Sequence, residues 1–184
     1  MSLEQQPEYD ISVIVTAHAE GRLAHRTMRS VQAAISQAEF QGLRCEIIVV
    51  LDNPTAETLA YFECWRALVR VMEVSTKDLG INRNLAVKEA KGKYVACIDA
   101  DDLMGRSWLQ LAYECAERSS LRHFIVHAEY TVYFGNRHNI TRHLASNDPE
   151  FPRVQLARAL SHNPIFATTY CASDTTKILC LHNR

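Results

Sequence analysis

Lys93-Tyr-Val-Ala-Cys-Ile-Asp-Ala-Asp-Asp102 is the stretch around which the rest of the chain is arranged. Its residues 94–98 form a short apolar run containing Tyr, Val and Ile, which predicts a buried strand. Three carboxylates follow within four residues, those of Asp99, Asp101 and Asp102. Carboxylates this close repel one another unless a cation lies among them, and all-oxygen ligands suit Mg²⁺ or Mn²⁺. The stretch therefore predicts a metal–diphosphate site at the carboxyl end of a strand.

An acidic turn is the alternative interpretation of the same residues. Asp102 or a neighbour would then cap the helix that follows, as short polar side chains commonly do. An Asp-x-Asp tripeptide on its own does not decide between the two, because such short motifs occur often by chance. The rest of the chain has to provide the evidence.

The overall composition limits the class of protein. With 184 residues, 47% of them hydrophobic, the chain can form one domain with a buried core. A formal net charge of −1 gives no basic field for nucleic acid. No apolar run reaches the ~20 residues of a membrane span, and the N-terminus has no apolar leader. The six cysteines show no zinc-finger or redox spacing. We therefore expect a cytoplasmic protein without a transmembrane segment, with peripheral membrane contact left open.

Strand and helix patterns alternate over the first two thirds of the chain. Strands are predicted at 11–15, 46–51, 69–74 and 94–98. Helices are predicted at 24–38, from Pro54 with Asn53 as cap, from Ile81 to a closing Gly92, and from the capping Ser107 to Arg118. Such alternation is typical of a parallel α/β sheet. Beyond it we expect a β-prone run at 123–133, a turn at Gly135-Asn136, an antiparallel return at 140–144, a helix at 152–160 and a strand at 165–170, without an obvious closing element.

Polar residues collect where the predicted strands end. In open α/β sheets the ligand binds beyond the carboxyl ends of the strands, at the point where the strand order reverses. The polar residues that follow the first, second and fourth strands are Thr16, His18 and Glu20, then Asp52 and Asn53, then Asp99, Asp101 and Asp102. These groups would face one crevice, and a nucleotide diphosphate fits it. Arg83 and the start of its helix could add positive potential there.

Three other kinds of binding or catalytic site are not supported, because the chain lacks their sequence motifs. The chain has no Gly-x-Gly-x-x-Gly after the first strand, no Gly-Lys-Ser/Thr phosphate loop and no Gly-x-Ser-x-Gly elbow. A metal-dependent phosphatase, with Asp99 as nucleophile and Asp101 as acid, stays open as a remote alternative. Glu20 and Asp52 could instead cap the helices that follow them, and Arg83 could be only a helix-surface charge.

Five segments carry a resemblance to a known family. In chain order they are Ile11-Ser-Val-Ile-Val-Thr-Ala-His-Ala-Glu20, Glu46-Ile-Ile-Val-Val-Leu-Asp52, Gly80-Ile-Asn-Arg-Asn84, Ala90-Lys-Gly-Lys-Tyr94 and Ile98-Asp-Ala-Asp-Asp102. Their order and spacing resemble the family 2 glycosyltransferases of the GT-A fold, over roughly residues 10–105. The resemblance implies a GT-A, Rossmann-like α/β fold: a mostly parallel open sheet flanked by helices, with a small antiparallel addition in the last third.

The same resemblance implies a division of the chain and a reaction. We expect a flexible N-terminus at 1–9 and a single domain at 10–184, with a nucleotide-binding half at 10–105 and a partial acceptor-side half at 106–184. The reaction would move a sugar from a nucleotide-sugar, typically a UDP-sugar, to a glycan or lipid-linked hydroxyl with inversion, as in cell-surface polysaccharide biosynthesis. A truncated, catalytically silent relative that only binds the donor is the alternative.

Residues at the nucleotide side of the site can be carried over by position. Thr16, His18 and Glu20 match the loop that holds the base and ribose of the donor. Asp52 matches the acid that pairs with the base, typically uracil, and Arg83 matches a basic residue close to the nucleotide. The family usually has a proline where this chain has Thr16, so the identity of the donor base stays open.

Residues at the metal side follow from the Asp-x-Asp pair. Asp99 would lie towards the ribose and Asp101 on a Mn²⁺ or Mg²⁺ ion, with Asp102 assisting. Such an ion would act as a Lewis acid on the departing diphosphate. No general base is assigned, because Asp148, Glu150 and Asp174 have the appearance of surface or capping residues.

Overall fold

A computed structural model describes residues 7–119, 126, 130–133, 139–142 and 177–180 of the chain. Its main sheet has five strands in the spatial order β3-β2-β1-β4-β7, and every neighbouring pair is parallel. The strands are β1 Tyr9–Ala17, β2 Cys45–Asp52, β3 Arg70–Val74, β4 Gly92–Asp99 and β7 Lys177–Cys180. The predicted parallel α/β sheet is therefore confirmed, and β3 lies at its edge as expected.

Helices cover both faces of the sheet. The connections contain a short 3₁₀ helix, Gly21–Leu23, and the helices α1 Ala24–Phe40, α2 Ala56–Glu63, α3 Leu79–Glu89 and α4 Trp108–Arg118. Buried residues of α1, α2 and α4 share one core cluster with β1, β2 and β4, whereas α3 packs on a second cluster on the opposite face. Because β1 is covered on both sides, its central residues 11–15 are apolar apart from Ser12, as is typical of parallel strands.

Strand β1 shows how the two faces are divided. Ile11, Val13 and Val15 point into the larger cluster and Ile14 into the smaller one, all with no exposed surface. Ser12 is buried although it is polar, and its hydroxyl donates to Glu46 and accepts from the backbone N–H of Gly92. The period of two along the strand thus assigns each residue to a helical layer.

A small antiparallel pair lies outside the main sheet. Strands β5 Tyr130–Tyr133 and β6 Asn139–Arg142 form it, which confirms the predicted antiparallel addition. The predicted turn at 135–136, the helix at 152–160 and the strand at 165–170 lie outside the described residues. Strand β7, beside β4, was not predicted from the sequence.

Two predicted helix boundaries are wrong. Asn53 is not the cap of α2, because it adopts a left-handed backbone with a φ of 44°, and Thr55 caps the helix by accepting from the N–H of Thr58. Gly92 does not close α3, which ends at Glu89; it begins β4 instead. Ser107 does precede α4, although its side chain makes no capping hydrogen bond.

A helix that crosses a membrane must be both long and apolar. In the part of the chain that the structure describes, no helix combines the necessary length with sufficient apolar content.

Candidate functional site

The strand order reverses between β1 and β4, and their carboxyl ends meet through side chains. Thr16 and Asp99 are register partners, and the Thr16 hydroxyl donates to Asp99 Oδ1 over 2.7 Å. Nη2 of Arg83, on α3, donates to the same oxygen over 2.5 Å. Both donors use Oδ1, and the second oxygen of Asp99 has no hydrogen-bond donor among the described residues, so it can accept from a ligand.

Arg83 is an interior residue. Only 5% of it is exposed, so the alternative of a helix-surface charge is wrong. Its ion pair with Asp99 is largely shielded from solvent, since 6% of the Arg83 side chain and 14% of the Asp99 side chain are exposed. Nε of the same guanidinium is buried without a hydrogen-bond partner among the described residues. A buried donor left in this state is unfavourable by about 1–3 kcal/mol.

Asp52, at the end of β2, holds a neighbouring loop in place. Its Oδ1 accepts from the N–H groups of Thr76 and Lys77, over 3.0 and 3.2 Å, and from the Asn53 amide over 2.9 Å. Its Oδ2 accepts from Nδ2 of Asn82 over 2.9 Å. Burial raises the pKa of this carboxyl, but the hydrogen bonds, led by Asn82, outweigh it and leave the pKa below its ordinary value. The carboxylate is therefore anionic and fixed.

The loop after β1 is attached to the end of β2. His18 Nδ1 lies 2.5 Å from the backbone oxygen of Asp52; because that oxygen can only accept, Nδ1 carries the proton. Glu20 accepts from the N–H of His18 over 2.6 Å and makes no capping bond to the 3₁₀ helix that it precedes. The capping alternatives for Glu20 and Asp52 are therefore wrong, since α2 is capped by Thr55.

The acids after β4 differ in their exposure. Asp101 is exposed, and its carboxylate has no hydrogen-bond or ion-pair partner among the described residues. Asp102 is 6% exposed and donates its backbone N–H to the Asp99 carbonyl, closing a turn. The backbone N–H of Ala100 donates to the Thr16 carbonyl, so the turn stays close to β1. The capping alternative for Asp102 is also wrong, because Ser107 holds the cap position of α4.

A cation at this edge would depend on its ligand for most of its coordination. Nowhere in the described ranges do three His, Cys, Asp or Glu side chains form a metal-ligand group. The acids after β4 can supply one or two carboxylates, with Asp101 accessible. That number is typical of Mg²⁺ and Mn²⁺ sites completed by water and substrate phosphates, so the residues fit such an ion.

The structure thus brings the predicted residues to one edge of the sheet. Thr16, Arg83 and Asp99 form one bonded group, and His18, Glu20 and Asp52 form a second. Asp101 and Asp102 continue from β4 beside them. Sequence reasoning missed Thr76 and Asn82, which hold Asp52; Asn82 precedes Arg83 on a helix already predicted to face the crevice, and this position was the available signal.

Comparison with known proteins gives consistent matches. Residues 12–177 match the sequence model of Glycosyl transferase family 2. The poly(ribitol-phosphate) beta-N-acetylglucosaminyltransferase TarP of Staphylococcus aureus strain N315 is 28% identical over 114 residues, 60% of this chain and 34% of that protein. TarS of S. aureus strain Mu50, with the same activity in its name, is 27% identical over 103 residues, 54% of this chain and 17% of that protein.

Solved structures agree in fold. The crystal structure of residues 1–349 of S. aureus TarS superposes with a TM-score of 0.54 at 21% identity, covering 73% of this chain and 39% of that one. The complex of the same TarS fragment with UDP-GlcNAc gives 0.51 at 23% identity, covering 65% and 35%. The chain spans about a third of the length of TarP and less than a third of the length of TarS. Because the family match covers most of its residues, the chain belongs to glycosyl transferase family 2, the glycosyltransferases of the GT-A fold.

Proposed function

We propose that this chain binds a UDP-sugar at the carboxyl edge of its sheet and transfers the sugar, with inversion, to a hydroxyl group of a glycan or lipid-linked acceptor. The observation that carries the proposal is the meeting of β1, β2 and β4 at one edge, where Asp52, Asp99 and Asp101 follow or end their strands. In open α/β sheets this edge, at the reversal of strand order, is where nucleotides bind.

Each bonded group has a role in holding the nucleotide. Asp52 would accept a hydrogen bond from the base, since its carboxylate is held in a fixed direction. The free oxygen of Asp99 would accept from a ribose hydroxyl, and Arg83 would hold Asp99 while its buried Nε adds positive potential. Thr16, His18 and Glu20 form the loop that would enclose base and ribose.

Mn²⁺ or Mg²⁺ would be held by Asp101, with Asp102 as second acid of the turn. Asp101 is the better placed of the two because its carboxylate is exposed. When bound, the ion would supply Lewis-acid stabilisation to the diphosphate that leaves. The base that deprotonates the acceptor is not assigned to any residue.

The names of the relatives support a narrower donor and acceptor. TarS forms a complex with UDP-GlcNAc, and both TarP and TarS are named for beta-transfer of N-acetylglucosamine to poly(ribitol-phosphate). Formation of a beta linkage from an α-linked donor is inversion. We therefore propose UDP-GlcNAc as the first donor to test and a hydroxyl of a polyol-phosphate polymer, a cell-surface polysaccharide component, as the first acceptor.

Calorimetric titration with UDP, with and without Mn²⁺, tests the proposal. We expect metal-dependent binding by the native chain and, for Asp101→Ala, at least a tenfold loss of UDP affinity in Mn²⁺ with an unchanged melting temperature, because removal of even a metal's outer-shell partner typically costs 10–100-fold. Glu39→Ala is the control, since Glu39 is an exposed acid at the far end of α1. UDP affinity unchanged in Asp101→Ala would refute the metal assignment.

Transfer is tested separately from binding. UDP-GlcNAc and a polyol-phosphate acceptor, incubated with the native chain and Mn²⁺, should release UDP and yield a beta-linked product by NMR. Binding of UDP without transfer or donor hydrolysis would favour the catalytically silent alternative. Release of phosphate from simple phosphomonoesters would favour the phosphatase.

A further inference from the structure

Asp52 has almost all of its hydrogen-bonding capacity filled by the protein. A carboxylate offers about four acceptor positions on its two oxygens. Oδ1 accepts three bonds, from the Asn53 amide and the N–H groups of Thr76 and Lys77. Oδ2 accepts one, from Nδ2 of Asn82. Because each oxygen has about two of these positions, the three donors at Oδ1 share two of them, and one position on Oδ2 is left for a ligand.

Asn82 is itself fixed in one orientation. It is 3% exposed, and its Oδ1 accepts from the Thr76 hydroxyl while its Nδ2 faces Asp52. A flip of the amide would place its oxygen against the anionic carboxylate, and the two acceptors would repel each other. The amide is thus held with a donor, not an acceptor, towards Oδ2.

We propose that Asn82 is a positioning residue that leaves Asp52 one open acceptor position on Oδ2, and that this arrangement selects a nucleotide base presenting a ring N–H. The inference rests on the proposed function, because it assumes that Asp52 faces the base. It goes beyond that function in naming Asn82 as the residue that orients the acid.

The chemistry separates uracil from cytosine. Uracil presents N3–H, a donor that the open position accepts, whereas N3 of cytosine is an acceptor and is repelled by an anion. Sites built to bond a donor reject analogues that lack it, because the buried polar group is then left unpaired. The lowered pKa of Asp52 keeps the group anionic at neutral pH, which maintains the selection.

Asn82→Ala tests the positioning role in the full chain. UDP and CDP are titrated in Mn²⁺ by calorimetry, and we expect UDP affinity to fall about tenfold while CDP affinity changes less than threefold. Without the amide the carboxylate is no longer held in the direction that bonds the N3–H of uracil, whereas CDP makes no such bond and loses little affinity. Asn84→Ala, an exposed asparagine on the same helix, is the matched control and should keep the native ratio of UDP to CDP affinity.

Asn82→Asp gives a readout that a merely structural role would not produce. At pH 5 the two facing carboxyl groups share a proton, so the substituted side chain still donates and UDP affinity should stay within threefold of native. At pH 8 both are ionised and repel, and affinity should be at least tenfold weaker. Other ionisable groups on segments that contact Asp52 could also change UDP affinity with pH, and Asn84→Ala, which keeps all of them, measures that effect at the same pH values. These groups are His18, Glu20, Lys77, Asp78 and Arg83.

The outcomes are distinct. Equal losses of UDP and CDP affinity in Asn82→Ala, or a pH-independent loss in Asn82→Asp, would overturn the positioning role and leave UDP-sugar binding intact. Failure of the native chain to bind any nucleoside diphosphate would overturn the proposed function and this inference with it. A native chain that binds CDP as tightly as UDP would overturn the base selection.

Discussion

The ion pair between Arg83 and Asp99 should be one of the most sensitive points of the fold. Both side chains are largely buried, and Nη2 lies 2.5 Å from Oδ1. Replacement of Arg83 by Met keeps the unbranched stem that packs against its surroundings but removes the guanidinium. Asp99 then retains only the Thr16 hydroxyl as donor while its charge stays buried.

The size of the effect follows from this stranded charge. Removal of one partner of a buried pair typically destabilises by about 3–5 kcal/mol. Because Asp99 keeps one hydrogen bond and 14% exposure, we expect the lower end, about 3 kcal/mol for Arg83→Met. At roughly 2–4 °C per kcal/mol for a chain of this size, the melting temperature should fall by about 6–12 °C. Addition of Asp99→Asn should restore about 2 kcal/mol, since it removes the unpaired charge.

Urea unfolding of the native chain, both single variants and the double variant measures this coupling directly. A coupling energy of at least about 2 kcal/mol between the two sites would establish the pair as an interacting unit, because contacting residues usually couple by 0.5–3 kcal/mol. Additivity of the two substitutions within about 0.5 kcal/mol would refute the reasoning. Thr16→Val, which removes the remaining donor, should enlarge the loss in the Arg83→Met background more than in the native chain.

Two further predictions concern packing and thiol chemistry. Gly92→Ala should destabilise the fold by about 1–3 kcal/mol in urea unfolding, because an added Cβ would lie 2.5 Å from the backbone N of Ser12. Gly105→Ala is the control and should stay within about 0.5 kcal/mol of native, because the atom nearest to its added Cβ would be 3.9 Å away. Equal losses of stability in the two variants would contradict the steric argument. Burial raises the pKa of the Cys45 thiol to about 12, so at pH 8 Cys45 should be alkylated far more slowly than the exposed Cys64, and its alkylation rate should rise with pH. Mass spectrometry of iodoacetamide-treated protein would measure both rates. A Cys45 alkylation rate that levels off below pH 9 would contradict the prediction.

The strands of the main sheet were predictable because their signal is local. The apolar runs at 11–15 and 46–51 extend by one or two residues at each end to become β1 and β2. The strands are parallel because the helix between two strands returns the chain to the end of the sheet at which the first strand began, so the next strand runs in the same direction. The convergence of Asp52 and Asp99 on one edge is a direct consequence.

Helix boundaries were less predictable because competing roles can use the same residue. Asparagine is a common cap and also tolerates left-handed backbone, and at Asn53 the second role prevailed. Glycine commonly follows a helix, but Gly92 is required where β4 passes close to β1, since a side chain there would collide with Ser12. Tertiary contacts decided both cases.

The contacts that hold the site could not be found from sequence alone. Asp52 is bonded by Thr76 and Asn82, which lie 24 and 30 residues further along the chain, through a loop whose course no local pattern predicts. The bond between Thr16 and Asp99 depends on the register of β1 against β4, and periodicity does not determine register between distant strands. The positions of Thr16, Asp52 and Asp99 at the ends of their strands were predictable; the hydrogen bonds that hold them were not.

The position of β7 beside β4 has a consequence for synthesis of the protein. Lys177 pairs with Tyr94, 83 positions earlier in the chain, so the outer edge of β4 keeps unsatisfied amide and carbonyl groups until that distant segment has left the ribosome. At typical translation rates this interval lasts roughly 4–17 s, and an open apolar edge of this kind can recruit strands from other nascent chains. The strand that carries the acids is thus open to incorrect pairing until that segment has been made.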